Sequence, residues 1–254
     1  MDLLERQRVR ILDKCSTDYS FHFNPEGGLL TPTLDKYIIE WRDKEGKPFS
    51  PENVIPRQVG VRSYSLDSPP STRCVISCAA VSWAQYDMLN KSGIWEATPQ
   101  SEHFYALGAD CLLQTSDDLF ILTFRSELVS HCQNMWAVSS AGYVDLPEAL
   151  RAKSATSTIL RETKEELGLE PSDIRDLKEV ALCEHTTGLA VRVICFFGKT
   201  NLTSWEVLER AKHAKDVWEG KHSFFTLDEV RRMLEQEEFV PSGAATIAVA
   251  LDHL

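Results

Sequence analysis

The stretch Arg161-Glu162-Thr163-Lys164-Glu165-Glu166-Leu167-Gly168-Leu169 constrains this chain more than any other. Its residues favour helix up to a glycine, and glycine just past the last turn is the common helix stop. At 100° per residue, Glu162, Glu165 and Glu166 fall within about a third of the helix circumference. Ile159, Leu160, Thr163 and Leu167 occupy the neighbouring sector, suited to burial against a sheet. Three carboxylates on one face repel one another unless a cation sits among them. Hard oxygen donors grouped in this way suit Mg²⁺ or Mn²⁺, which bind carboxylates, water and substrate phosphates together. Arg161 can pair with one carboxylate and hold its orientation. The plainer alternative is a solvated acidic face, which is what most charge runs are.

The chain can supply the core that such a helix needs. It has 254 residues, 43% of them hydrophobic and 26% charged, which fits one large domain or a domain with an extension. The formal net charge of −11 argues against a protein built to grip a long nucleic acid. A small anionic substrate remains compatible, because a local site can override the mean field. Seven cysteines are scattered without zinc-knuckle spacing and are expected to be buried free thiols in a reducing compartment. With no secretory leader and no run of eighteen apolar residues, the expectation is a soluble protein of the cytoplasm or nucleus, without membrane partners.

Residues 1–102 are expected to form an accessory α/β lobe. Turn punctuation at 24–28, 46–48 and 68–71 separates short apolar pieces at 37–41 and 74–81. Residues 103–254 form the second unit. Strands are expected at 105–113 and 119–124, joined as a hairpin, and at 135–139, with a helix over 155–167. A second hairpin is expected from 177–184 and 189–198. A helix near 204–215, a strand at 223–226 and helices at 227–237 and 243–252 complete the run. Strands outnumber helices and adjacent pairs read as antiparallel, so the fold class is α+β.

Upstream of the acidic helix stand Gly142 and Glu148, six residues apart in a loop after a strand. Together with Arg161, Glu162, Glu165, Glu166, Gly168 and Leu169 they resemble the Nudix box, the signature of hydrolases of nucleoside diphosphates linked to another group. Twelve residues rather than seven separate Glu148 from Arg161, so the neighbourhood of 150–154 reads as an insertion. Thr163 replaces the usual aliphatic, and Ala141 and Pro147 stand where the family often has glycine. The resemblance implies a Nudix-type mixed β-sheet/α-helix sandwich and a divalent cation, Mg²⁺ or Mn²⁺. Its ligands would be Glu162, Glu165 and Glu166, with the backbone carbonyl of Ala141 as a further oxygen. Glu162, Glu166 or Glu219 would take the proton of the attacking water. Glu184 and His185 are second candidates, His185 being expected at the surface.

Within that family the layout looks nearest to the branch that hydrolyses UDP-glucose. The points of likeness are the N-terminal lobe, Val81-Ser82-Trp83 followed by Tyr86, Leu107-Gly108-Ala109-Asp110, Trp218-Glu219 before Phe224-Phe225, and Pro241-Ser242-Gly243-Ala244. The partner implied is a small nucleoside diphosphate derivative, a UDP-sugar giving UMP and a sugar 1-phosphate. Trp83, Tyr86 and Trp136 are candidates for stacking on a base. Other readings keep the chemistry and change the substrate to ADP-ribose, a dinucleotide or a nucleoside triphosphate; capped RNA fits the acidic balance least. A reading from another class is a non-catalytic Nudix-fold module that binds a protein. The fold's isomerase variant is disfavoured, since no Cys matches that chemistry.

Overall fold

The computed structural model describes residues 3–13, 18–23, 56–66, 73–82, 86, 105–186 and 190–254. The turn punctuation at 24–28, 46–48 and 68–71, the apolar piece at 37–41 and Trp83 lie outside these residues. The strands in chain order are β1 (Val9–Asp13), β2 (Asp18–Phe23), β3 (Pro56–Leu66), β4 (Arg73–Ser82), β5 (Tyr105–Gln114) and β6 (Phe120–Arg125). Then follow β7 (Trp136–Ala137), β8 (Ser140–Tyr143), β9 (Ile174–His185), β10 (Val191–Thr200) and β11 (Gly220–Phe225). The described helices are α1 (Leu3–Arg6), α2 (Leu146–Ala152), α3 (Thr156–Leu167), α4 (Ser204–Ala211), α5 (Leu227–Gln236) and α6 (Pro241–Leu251).

Strand β5 organises the molecule. Its side chains alternate between two cores, as a strand buried on both faces requires. Leu107, Ala109, Cys111 and Leu113 enter one core with Ile159 and Leu167 of α3 and Val207 of α4. Ala106 and Leu112 enter the other, with Ala244, Ala245 and Ile247 of α6. Between them on that second face stand Gly108 and Asp110, which break the apolar pattern. Each fully buried leucine here contributes about 2 kcal/mol of burial free energy.

One edge of β5 pairs in parallel with β10, which pairs antiparallel with β9, and β1 lies outside β9. The other edge is divided. β3 takes its start, at Gly60 opposite Ala106 and Val61 opposite Tyr105. β8 takes its middle, from Gly108 opposite Tyr143 to Cys111 opposite Ser140. The order β1-β9-β10-β5-β3-β4-β2 is one mixed sheet, with β6 and β11 pairing to one side. With helices on both faces, the class is α+β, as expected. The described strands of the first segment therefore extend this sheet, and Val59 N donates to Val144 O at 3.1 Å across the expected boundary. As separate folding units, 1–102 and 103–254 stay a proposal.

Three local expectations change. The β5–β6 hairpin holds at a single pair, Gln114 with Phe120, after which β6 departs to β11 and β7. The strand at 135–139 is instead two short pieces, β7 and β8. Residues 146–152 are helical, not looped, with Pro147 in the first turn, where its missing N–H costs nothing. The six described cysteines are free, and all but Cys132 are buried. No described helix is long and apolar enough to cross a membrane.

Candidate functional site

Helix α3 ends at Gly168, whose φ of 69° lets its N–H reach back to Lys164 O. A side chain there would also meet Arg210 O at 2.9 Å, so the position is glycine for two reasons. The buried face of α3 explains Thr163: its hydroxyl lies 2.9 Å from that of Ser140, a polar contact between helix and β8 that an aliphatic could not make. This contact and the apolar sector set the register in which the carboxylates meet β8.

Arg161 is the hub of the exposed side. Its Nε donates to Glu148 at 3.2 Å, and its Nη1 donates to Glu162 at 2.7 Å and Glu165 at 2.9 Å. Nη2 reaches Tyr143 O at 3.5 Å. The extra residues after Glu148 are absorbed by α2, which Lys153 closes in the left-handed region at φ 54°. Glu148 thereby sits on helix α2 rather than in a loop, and still meets both Arg161 and Thr158 Oγ1, the latter at 3.3 Å.

The acidic residues do not all face one way. Glu165 points outward, where Lys215 Nζ lies 2.6 Å away. The upward push of its partial burial is outweighed by Lys215 and Arg161, which hold its carboxyl below the ordinary range. Glu162 and Glu166 turn toward β8. Burial pushes Glu162 up to about 7 against the pull of Arg161. Burial, then Glu162 and Glu219, push Glu166 well above the carboxylate range. Glu219 is also raised, by burial, with Arg125 opposing. Glu162, Glu166 and Glu219 are thus the raised carboxyls of this wall, while Glu165 is held down by its cationic neighbours.

Glu219 arrives on a turn, Val217–Glu219, that is fastened on both sides. Asp216 N donates to Glu165 O at 2.8 Å, and Ser126 N donates to Glu219 O at 2.8 Å. His222, in β11, lies between Thr123 Oγ1 at 2.9 Å and Glu166 O at 3.1 Å. Burial lowers its pKa. Two cavities meet at this wall, sharing Ala141, Arg125 and Glu219. The larger, of 340 Å³, is lined by Glu162, Gly142, Tyr143, Asp110, His185 and Ser242 among others; the smaller contains Glu166. A cavity of that size holds a small ligand. Arg125 is the cation on the shared wall, and its buried Nε has no hydrogen-bond partner.

The fit of a divalent cation can be judged from these donors. Glu162, Glu166 and Glu219 are mutually repelling oxygen donors around Ala141, whose N–H reaches Glu166 Oε1 at 3.5 Å. At Gly142 an added Cβ would fall 1.9 Å from Glu162 Oε1, so the glycine keeps the space into which that carboxylate folds. Hard donors and unbalanced negative charge fit Mg²⁺ or Mn²⁺. Among the described residues no three acidic, His or Cys side chains are drawn close enough to make a preformed cation site. Glu162 is held by Arg161, and a cation would compete for it.

Other expectations resolve differently. Glu184 is committed to Arg10 at 2.6 Å and Arg192 at 2.8 Å, a structural ion pair. His185, expected at the surface, is buried, and its Nε2 accepts the Ser242 N–H at 3.2 Å. Trp136 is a packing aromatic, edge-on to Phe124 and Phe225. Tyr86 is fully buried with its hydroxyl against that of Tyr143. Trp218 is 48% exposed and lines the larger cavity. Asp110 and Arg125, which line the larger cavity, are not among the residues expected from the sequence. The available signal was a charged residue in an otherwise apolar alternating strand.

No family model and no curated protein matches this chain. Solved structures do resemble it in fold. The Nudix domain of Shewanella oneidensis NrtR, complexed with ADP ribose, matches at 15% identity over 64% of this chain and 98% of that one, with a TM-score of 0.42. The MutT protein from Methanosarcina mazei Go1 matches at 18% identity over 59% and 94%, with a TM-score of 0.37. A Nudix-family hydrolase from Clostridium perfringens matches at 12% identity over 59% and 97%, with a TM-score of 0.38. At these values the functional reading rests on the box residues and the wall they build.

Proposed function

We propose that this chain is a metal-dependent pyrophosphohydrolase of the Nudix kind, acting on a nucleoside diphosphate linked to a second group, with a UDP-sugar as the preferred substrate. The observation that carries the reading is that Glu162 lines one and Glu166 the other of two cavities that share Ala141, Arg125 and Glu219. A non-catalytic module gains nothing from burying carboxylates that raise one another's pKa values.

Glu162, Glu166, Glu219 and the Ala141 carbonyl would hold the cation, which supplies charge neutralisation on the diphosphate and lowers the pKa of water. Arg125 supplies positive charge for phosphate oxygens on the same wall. Glu165 stays outside and acts with Lys215 to fix Arg161, which in turn orients Glu148 and Glu162. Water attacks one phosphorus, the bridging P–O bond breaks, and UMP and a sugar 1-phosphate leave. The proton of the water passes to a carboxylate oxygen of Glu219 or Glu166. Trp218 offers a ring face at the mouth for a base.

The test is hydrolysis of a panel of UDP-glucose, ADP-ribose, a dinucleoside diphosphate and a nucleoside triphosphate with Mg²⁺, the products being counted by phosphorus NMR. UDP-glucose should give UMP and glucose 1-phosphate with at least tenfold the kcat/KM of the others. Preference for another member overturns the sugar assignment, and no turnover of any member overturns the enzyme.

A further inference from the structure

Helix α3, like any α-helix, leaves its last carbonyls without partners inside the helix. Two of them are met from one later segment. Asp216 N donates to Glu165 O at 2.8 Å, and His222 Nε2 lies 3.1 Å from Glu166 O. Positions 216 and 222 stand three residues to either side of Glu219. The stretch that carries Glu219 is therefore docked, at both of its ends, on the helix end that carries Glu166. The first tie joins backbone to backbone, and any residue but proline at 216 would make it. The second needs the side chain of His222. Ser126 N also holds Glu219 O, but it fastens the turn to the end of β6 and not to α3.

The His222 ring is itself oriented. In the register of β11 with β6 it stands opposite Thr123, and its Nδ1 lies 2.9 Å from Thr123 Oγ1. A carbonyl oxygen only accepts, so Nε2 carries the proton toward Glu166. Burial favours the neutral ring, in which Nδ1 accepts and the Thr123 hydroxyl donates to it. The strands approach closely at this point: a Cβ at Gly220 would fall 2.5 Å from Thr123 Cγ2 and 2.8 Å from Phe124 O. Thr123 and His222 line the smaller cavity beside Glu166 and Glu219.

We propose that His222, oriented by Thr123, is a positioning residue for the hydrolysis: by holding the Glu166 carbonyl it sets the turn of Glu219 against α3, so that both carboxylates address one cation. This inference rests on the hydrolase reading of that wall. His222 acts through the backbone of a ligand-bearing residue. Loss of such an outer contact costs about 10- to 100-fold in metal affinity or rate.

The test uses the different reach of two amides in the full chain. The side-chain nitrogen of Gln can stand where Nε2 stands and donate to Glu166 O, whereas that of Asn stands nearer Nδ1 and falls short. Mn²⁺ binding followed by electron paramagnetic resonance should weaken about tenfold or more in His222→Asn. With Mg²⁺ and UDP-glucose, kcat should fall by about the same factor while KM changes less than about threefold. His222→Gln should stay within about threefold of wild type in all three. A residue that only supports the fold would lower the melting temperature in both variants and leave Mn²⁺ affinity and kcat alike in the two, which overturns the proposal. Nitrogen-15 NMR of the metal-free wild type reads the bond directly: a ring protonated at Nε2 and bare at Nδ1 supports it, and the reverse tautomer overturns it. Should His222→Asn fail to unfold cooperatively, Thr123→Val takes its place; a loss of Mn²⁺ affinity of about threefold or more supports the proposal and an unchanged affinity overturns it. Should the wild type bind Mn²⁺ but turn over nothing, the hydrolase reading fails by itself, and the Mn²⁺ affinities of the Asn and Gln variants decide the positioning role by the same criteria. No Mn²⁺ binding by the wild type overturns both.

Discussion

The carboxylate of Glu162 occupies the space that a side chain at Gly142 would need: a Cβ there would lie 1.9 Å from Oε1 and 2.2 Å from Cδ. The obstacle is the far end of a flexible side chain, not backbone. Gly142→Ala should therefore displace Glu162 and leave the fold standing. We predict a loss of about 10²-fold in kcat/KM, since an ångström of misplacement is enough for that. The melting temperature should fall by no more than about 4 °C. Circular dichroism melts beside kinetics check the split; a protein that unfolds but keeps its specific activity would contradict it.

Arg161 restrains Glu148, Glu162 and Glu165 at once. Arg161→Ala should lower kcat/KM by about 10- to 100-fold, as removal of groups that orient metal ligands does. Arg161→Lys should recover little, because an ammonium cannot reproduce the planar fork that spans these carboxylates. Full rescue by lysine would mean that Arg161 acts only as a charge.

The raised carboxyls fix a sign for pH dependence. Glu162 has an ordinary value of 4.5 and a folded value of about 7. Between these the folded state binds more protons than the unfolded state, so metal-free stability falls as pH rises through that window. Ionised carboxylates are what a cation needs, so stabilisation by Mg²⁺ should grow in the same direction. Thermal melts with EDTA and with Mg²⁺, at pH 5.5 and 8, test this. The Mg²⁺-induced rise should be larger at pH 8, and equal rises at both would refute the assignment.

Gly168 closes α3 with a positive φ and sits against Arg210 O. Gly168→Ala should cost at least about 1–2 kcal/mol from the left-handed conformation alone. The backbone clash adds to this, so a melting temperature lowered by about 4–8 °C is expected. A variant as stable as the wild type would show that the helix ends elsewhere.

The parts legible in the sequence are those set by local periodicity and chemistry. Helix α3, expected over 155–167, spans Thr156–Leu167 because its apolar sector and terminal glycine agree. β9 and β10 pair antiparallel as expected. What escaped is non-local. The parallel pairing of β10 with β5 joins residues some eighty apart, and nothing in either strand's pattern specifies it. The direction of Glu165 depends on Lys215, fifty residues later. The seven-residue helix α2 is too short for periodicity to declare itself. Asp110 comes to line the larger cavity only through the pairing of β5 with β8 and β10.

The central claim is that Glu166, with Glu162 and Glu219, forms a divalent cation site from which Glu165 is turned away. Titration of Mn²⁺ followed by electron paramagnetic resonance, on wild type, Glu166→Gln and Glu165→Gln, tests it most directly. Wild type should bind Mn²⁺, Glu166→Gln should weaken that binding by about 10- to 100-fold, and Glu165→Gln should change it far less. Equal affinity in wild type and Glu166→Gln, or no binding by any of the three, would contradict the account.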